Sequence, residues 1–220
     1  MPSETPRAYR SELRARQARE TRARVIAASA RLFATHGYQS TTIAAIGRDA
    51  GVSTETVKTT ASKAELLLAA FEVTFSGSEA ADSLTDTEVG SGILEVADEE
   101  FLDAVVAQIT TANARGHALW TVLLGAALSD PVVDHALQGI LAHRRADLSR
   151  LVDELARRGL ARDLPDRDAA AAAVSFLISP ESYQQLVTQS GWSDDRYRAW
   201  LRTAILAEVG QRADQPPSMV

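Results

Sequence analysis

The stretch TIAAIGRDAGVSTETVKTT, residues 42–60, decides how the rest of the chain is read. Two short helices that cross steeply need a small residue where their backbones meet, a glycine in the turn, and apolar positions that lock the angle. Gly47 fits the first need, Gly51 the second, and Ile46, Val52 and Val57 the third. The spacing predicts a helix-turn-helix, its first helix capped by Thr41 or Thr42 and its second by Ser53. The second helix then stands outward and offers Ser53, Thr54, Glu55, Thr56, Lys58 and Thr59 to a major groove. Short hydroxyl side chains there suit phosphates and base edges. Two ordinary short helices of a helical domain carry the same spacing, so charge and context decide between the readings.

The 220 residues have a net charge of −6, which by itself argues against a polyanionic partner. The charge is unevenly spread. Residues 1–63 hold 11 Lys and Arg against 5 Asp and Glu, a net of +6, and residues 64–220 carry −12. A basic first third on an acidic remainder suits a chain that holds a polyanion at one end and keeps it off the other. With 39 alanines, 23 leucines, 12 glycines and 7 prolines, the composition favours helix over sheet. The expected fold is all-α: an N-terminal three-helix DNA-binding domain followed by a C-terminal helical domain.

Outward from the motif, residues 1–18 are polar and Arg-rich and read as a mobile arm that becomes helical near its end. Residues 19–36 repeat Val25, Ile26, Ser29, Ala30, Leu32 and Phe33 at helical spacing, and Gly37 stops that helix. A fourth helix opens near Ser62 and runs through a set of leucines too apolar for a surface element. Residues 76–98 mix Gly, Ser and acids and form the expected flexible boundary segment. Beyond it, helices are expected at about 99–114, 117–128, 131–158, 166–190 and 194–209, with a kink or restart at Ser179-Pro180-Glu181. The domains follow as 1–18 arm, 19–63 helix-turn-helix head, 64–210 helical body and 211–220 disordered tail.

Enzymatic and metal chemistry find little footing. The chain has no cysteine, which removes disulfides, thiolate metal sites and a cysteine nucleophile. His36, His117, His135 and His143 make no Glu-x-x-His or His-x-x-x-His pair, and neither a phosphate loop nor a Gly-x-Ser-x-Gly elbow occurs. No enzyme activity, cofactor or metal is expected. Without a membrane-length apolar run or a secretory leader pattern, a soluble cytoplasmic protein with no membrane partner is expected.

The run RVIAASARLFATHGYQSTTIAAIGRDAGVSTETVKTTASKAELL, residues 24–67, resembles the TetR (tetracycline-repressor) family of bacterial transcription regulators. Phe33, Ala34, Gly37, Tyr38, Thr41, Thr42, Ile43, Ala50, Gly51, Val52, Ser53, Thr56, Ser62 and Lys63 match its pattern. The chain departs from it at residues 58–61: both usual aromatics are absent and the segment is one residue shorter. The resemblance implies a homodimer whose heads read a palindromic operator in double-stranded DNA, with Thr42, Ser53, Thr54, Thr56, Lys58, Thr59 and Lys63 as contacts. Lys58 is expected to take over the phosphate that the missing tyrosine would hold.

It further implies a repressor released by a small-molecule effector, with a C-terminal ligand-binding and dimerisation domain. Phe101, Val105, His117, Trp120, Leu124, Phe176 and Tyr183 are the candidate pocket wall, although such residues are more often simply core. Tyr197, Trp200, Leu201, Ile205 and Val209 stripe the last helix and suit either a dimer face or packing within the chain. A second reading, from another class, is a helical small-molecule binding or adaptor protein whose altered recognition helix has lost operator binding.

Overall fold

The structure, a computed structural model, describes residues 6–79, 81, 83–87, 90, 92–161 and 164–210. Among these, secondary structure is helical throughout. The elements are α1 (Pro6–Ser40), α2 (Ile43–Ala50), α3 (Thr54–Thr60), α4 (Lys63–Ser76), α5 (Asp98–Ala127), α6 (Pro131–Arg157), α7 (Arg167–Leu177), α8 (Pro180–Tyr183) and α9 (Asp194–Val209). A wide π-type turn over Gln184–Gln189 continues α8. Residues 6–18, read from the sequence as an arm, form the first turns of α1; the Ala, Arg, Gln, Glu and Leu there are good helix formers. The tail at 211–220 lies outside the described residues.

α1 is interrupted at Gly37, whose φ of 76° and ψ of 175° only glycine adopts readily. The chain leaves the helix axis there and turns into α2. Thr41, buried, donates its hydroxyl to the carbonyls of Gly37 (2.8 Å) and Leu32 (3.1 Å) and fixes that exit. The cap of α2 is Thr42, whose hydroxyl oxygen accepts the Ala45 N–H at 3.1 Å.

Two apolar clusters fill the interior. The first joins Val25, Phe33, Ile46 and Val57 of the first three helices to Leu66, Leu67 and Phe71 of α4, and continues to Leu119, Trp120, Leu123, Val133 and Leu137. The second lies at the other end of α5 and α6, where Phe101, Leu102, Val106, Leu148, Val152 and Leu155 meet Val174, Ile178 and α9. The core therefore does not divide where the sequence divides at residue 63: α4 and the adjoining ends of α5 and α6 share one cluster with the head.

Three expectations meet their outcome in three dimensions. The helices expected at 99–114 and 117–128 are one helix, α5. Gly116 does not stop it: a Cβ at Gly116 would stand 2.8 Å from the Phe75 ring, so this glycine is a notch that lets α4 approach. The stretch expected at 166–190 is broken at the anticipated place, with Ser179 capping α8 through the Ser182 N–H (3.0 Å). Asn113 of α5 donates to the Ile178 and Ser179 carbonyls at the break (3.0 and 3.3 Å). Finally, Tyr197, Leu201, Ile205 and Val209 are fully buried in the second cluster, so the stripe on α9 packs within its own chain.

Candidate nucleic-acid interface

The head holds its two short helices at a fixed angle by the means that the sequence pattern requires. Gly47 is buried, and a Cβ on it would lie 3.0 Å from the Val52 carbonyl oxygen, inside the normal contact distance. Gly51, at φ 66° and ψ 38°, makes the left-handed turn. Ile46 and Val57 are fully buried between α1, α2 and α3, and Val52 is half-buried against them.

α3 presents its remaining surface outward. Ser53, Thr54, Glu55, Lys58 and Thr59 are exposed, whereas Thr56 is half-buried. Several hydroxyls are already engaged locally. Ser53 Oγ accepts the Thr56 N–H (3.0 Å) and lies 2.8 Å from Thr56 Oγ1; Thr59 donates to the Glu55 and Thr56 carbonyls (3.1 and 3.0 Å). Thr60 donates to the Thr56 carbonyl at 2.7 Å. These bonds stiffen a helix of seven residues that is too short to be stable alone. Thr54 and Lys58 are left with their polar ends toward solvent.

The short end of α3 has a local cause. Ala61 is fully extended (φ −169°, ψ 161°), and Ser62 at once caps α4 in a reciprocal box with Glu65: Ser62 Oγ accepts the Glu65 N–H (3.2 Å), and Glu65 Oε2 accepts the Ser62 N–H (2.7 Å). These bonds hold the Glu65 carboxyl below its usual range. Arg22 of α1 donates to the Thr60 carbonyl at 3.3 Å and pairs with Glu79, so the end of α3 is pinned to α1.

Lys63 is placed differently from the other candidates. Its ammonium sits 4.5 Å from the centroid of the Tyr38 ring and 3.4 Å from the Gln39 carbonyl oxygen, half-buried, with its pKa lowered by that burial. Tyr38 itself is buried against Phe33, and its hydroxyl donates to Asp130 Oδ2 at 2.6 Å. Gln39 Nε2 adds a bond to Ser129 Oγ at 3.1 Å. A knot of Tyr38, Gln39, Lys63 and Asp130 thus ties the head to the α5–α6 turn. The sequence offered no signal for it, since Tyr38 and Asp130 stand 92 residues apart. Arg48, exposed at the end of α2, is a further cation of the head that the pattern did not single out.

The candidate ligand wall is only partly assembled. Two adjoining cavities, of about 140 and about 450 Å3, share Ile109, Asp147, Leu148 and Ile178 as their partition. Trp120 lines the smaller, and Phe101 and Val105 line the larger. His117, Leu124 and Tyr183 line neither cavity, which corrects the sequence reading, whereas Phe176 lines the open groove between α6 and α7 beside the smaller one. His117 bonds the Asn113 carbonyl and Thr188 and packs on Tyr183, whose hydroxyl donates to Asp194 (2.9 Å). Leu124 packs against the first cluster, and Phe176 is 69% exposed at the α6–α7 groove. A one-dimensional pattern does not say which side of a long buried helix faces a cavity.

Fold and head together define an all-helical, helix-turn-helix protein. Residues 25–70, which span the head and the first half of α4, match the family model described as bacterial regulatory proteins, tetR family. In fold the chain is similar to a candidate transcriptional regulator from Pseudomonas aeruginosa PAO1, with a TM-score of 0.62 at 18% identity over 86% of this chain and 90% of that one. It is also similar to a TetR-family regulator from Streptomyces coelicolor A3, with a TM-score of 0.51 at 19% identity over 84% of this chain and 89% of that one. No curated protein matches the chain. Among the described residues, no helix is long and apolar enough to cross a membrane, and no group of three or more potential ligands is placed to hold a metal ion.

Proposed function

We propose that the chain acts as a homodimeric repressor: two heads occupy the half-sites of a palindromic operator, and a small-molecule effector bound in the helical body releases them. The observation that carries the DNA-reading part is the outward face of α3, with Thr54 and Lys58 projecting from a head whose helix angle is fixed at Gly47 and Gly51. Ser53, Thr56 and Thr59 serve first to stiffen α3, and they reach a phosphate by turning a hydroxyl O–H from its local partner to donate to the phosphate oxygen. Thr42 stands at the exposed start of α2, where a helix N-terminus favours a phosphate. Lys63 positions Tyr38 and contributes its charge to the duplex at longer range.

Dimerisation in this reading uses the outer faces of α7 and α9, because the apolar stripe of α9 is consumed inside the chain. The exposed Ala169 of α7, with Phe176 at the edge of the α6–α7 groove, supports that assignment. A two-fold pair of heads would read half-sites about 34–36 Å apart.

A mobility-shift titration of the full chain against DNA upstream of its own gene tests the reading. Lys58→Ala is expected to weaken binding by a similar factor on every bound sequence and to flatten the salt dependence, whereas Thr54→Ala alters the preference among sequences. Wild-type binding and salt slope in Lys58→Ala would refute the contact assignment. Absence of any sequence-specific shift would favour the adaptor reading.

A further inference from the structure

The paired cavities of the body differ in how their charges are matched. In the larger one, the lining Arg150 is bonded to Asp147, Arg157 to Glu154 (2.6 Å), and Asp153 to Arg167. Every charged side chain on that wall has an opposite partner. In the smaller one, Asp147 is held by Arg150 and by Ser83 Oγ (2.7 Å), and Glu72 is also engaged. Arg144 differs. It is half-buried, and its one hydrogen-bond partner among the described residues is neutral: the guanidinium donates to the Ser175 carbonyl at 2.6 Å. Glu181 acts on it only at a distance and is itself bound by the Trp120 indole N–H at 2.8 Å.

A guanidinium withdrawn from water without a carboxylate is costly, and the cost is recovered when an anion arrives. Its remaining N–H groups form a fork that matches a two-oxygen anion. Position adds to the argument. Trp120 and Arg144 line both the inner cavity and an open groove between α6 and α7, so the cation stands at the mouth of an apolar chamber walled by Phe71, Phe75, Ile109, Ile140 and Leu148. A ligand that entered there would leave its charged end at Arg144 and its apolar body among those side chains.

We infer that the body binds a small amphipathic anion, with an apolar body of aliphatic or aromatic carbon in the paired cavities and one carboxylate- or phosphate-type end on Arg144. The inference rests on the reading above that the body takes an effector, and it assigns that effector's chemical class. Cations are disfavoured because the acidic groups on the walls are already engaged. His143, beside Arg144 on the same wall, adds a second donor for the anion.

Calorimetric titration of the full-length protein with four ten-carbon probes below their aggregation limits tests it: decanoate, decyl phosphate, decanol and decylamine. At least one anion is expected to bind ten-fold or more tightly than decanol and decylamine, and which anion does so separates the two kinds of end. Arg144→Gln, which keeps a donor for the Ser175 carbonyl, should reduce that anion's affinity to the level of decanol, while Arg144→Lys retains most of it. If Arg144→Gln fails to fold, as judged by circular dichroism, the Lys variant and the probe series on the unaltered protein still decide. Equal binding of all four probes, tighter binding of decylamine, or no binding of either anion overturns the inference. A parallel mobility shift keeps the two readings apart: anion binding that depends on Arg144 but leaves the protein on DNA sustains the inference and sinks effector release alone.

Discussion

Gly47 shows how much one residue can determine. Its missing side chain leaves room for the Val52 carbonyl oxygen, and the whole head takes its angle from that contact. A methyl group there must push α3 away from α2 or strain the turn. Gly47→Ala is expected to destabilise the head by about 1–3 kcal/mol and to abolish DNA binding while the helical content of the body persists. Thermal melts followed by circular dichroism, with a mobility shift on the same sample, check both halves. This requirement was legible in the sequence, because a small residue, a turn glycine and flanking apolar positions are local demands. Lys63 was not: its spacing suited a phosphate contact, but its ammonium lies over Tyr38, a ring brought beneath it only by the turn at Gly37.

Among the elements, α6 is held at its far end by a small charge network. Arg158, with its side chain almost wholly buried, donates to Glu154 (2.6 Å), to Asp98 (2.9 Å) and to the carbonyls of Val96 and Leu94 (2.6 and 2.7 Å), and it lies over the Phe101 ring. It thereby fastens the segment before α5 to the last turn of α6. Hydrogen bonds from Arg157 and Arg158 hold the Glu154 carboxyl down to about 2. A carboxyl depressed on folding contributes stability above its unfolded pKa and loses it as pH falls toward the folded value. Stability should therefore fall between about pH 4.5 and 2, and Glu154→Gln should remove that part of the acid sensitivity while lowering stability at pH 7. Urea melts across that range measure it; an unchanged pH profile in the variant would contradict the assignment. The helix itself was readable from its periodicity, from Pro131 at its start and from Gly159 past its end. The network was not readable, since its partners come from residues about 60 positions earlier.

For the whole molecule, the geometry links the cavity to the head through one element. α6 carries Ile140, Arg144 and Leu148 on the cavity wall, and begins at Asp130, which accepts the Tyr38 hydroxyl about 20 Å away along the helix. That bond and the two backbone N–H groups of Val132 and Val133 keep the Asp130 carboxyl below its usual range, and so charged. A ligand that shifts α6 would move Asp130 against Tyr38, and with it the exit of α1 into α2. Tyr38→Phe, which removes only the hydroxyl, is expected to leave operator binding within about two-fold, since the lost bond, worth about 1.5–3 kcal/mol to the fold because its acceptor is charged, stands away from the face of α3. It should raise the effector concentration needed for release several-fold. Operator release at wild-type effector concentrations would show that coupling runs elsewhere, for instance along α4, which is packed against both α1 and α5.

The sequence by itself determined the helical class, the two-helix head with its caps and turn, the basic end and the restart at Ser179-Pro180, because each depends on neighbours within one or two turns or on the summed composition. Tertiary structure alone decided that Gly116 is a notch for Phe75, that the stripe on α9 is spent inside its own chain, that Phe176 lies at the α6–α7 groove, and that Arg144 stands without a bonded carboxylate at the mouth of a cavity. Those facts concern which side of a helix meets which distant partner. Helical periodicity marks an apolar side, but the pairing of sides is set by packing among residues 40 to 100 positions apart, where no local preference reaches.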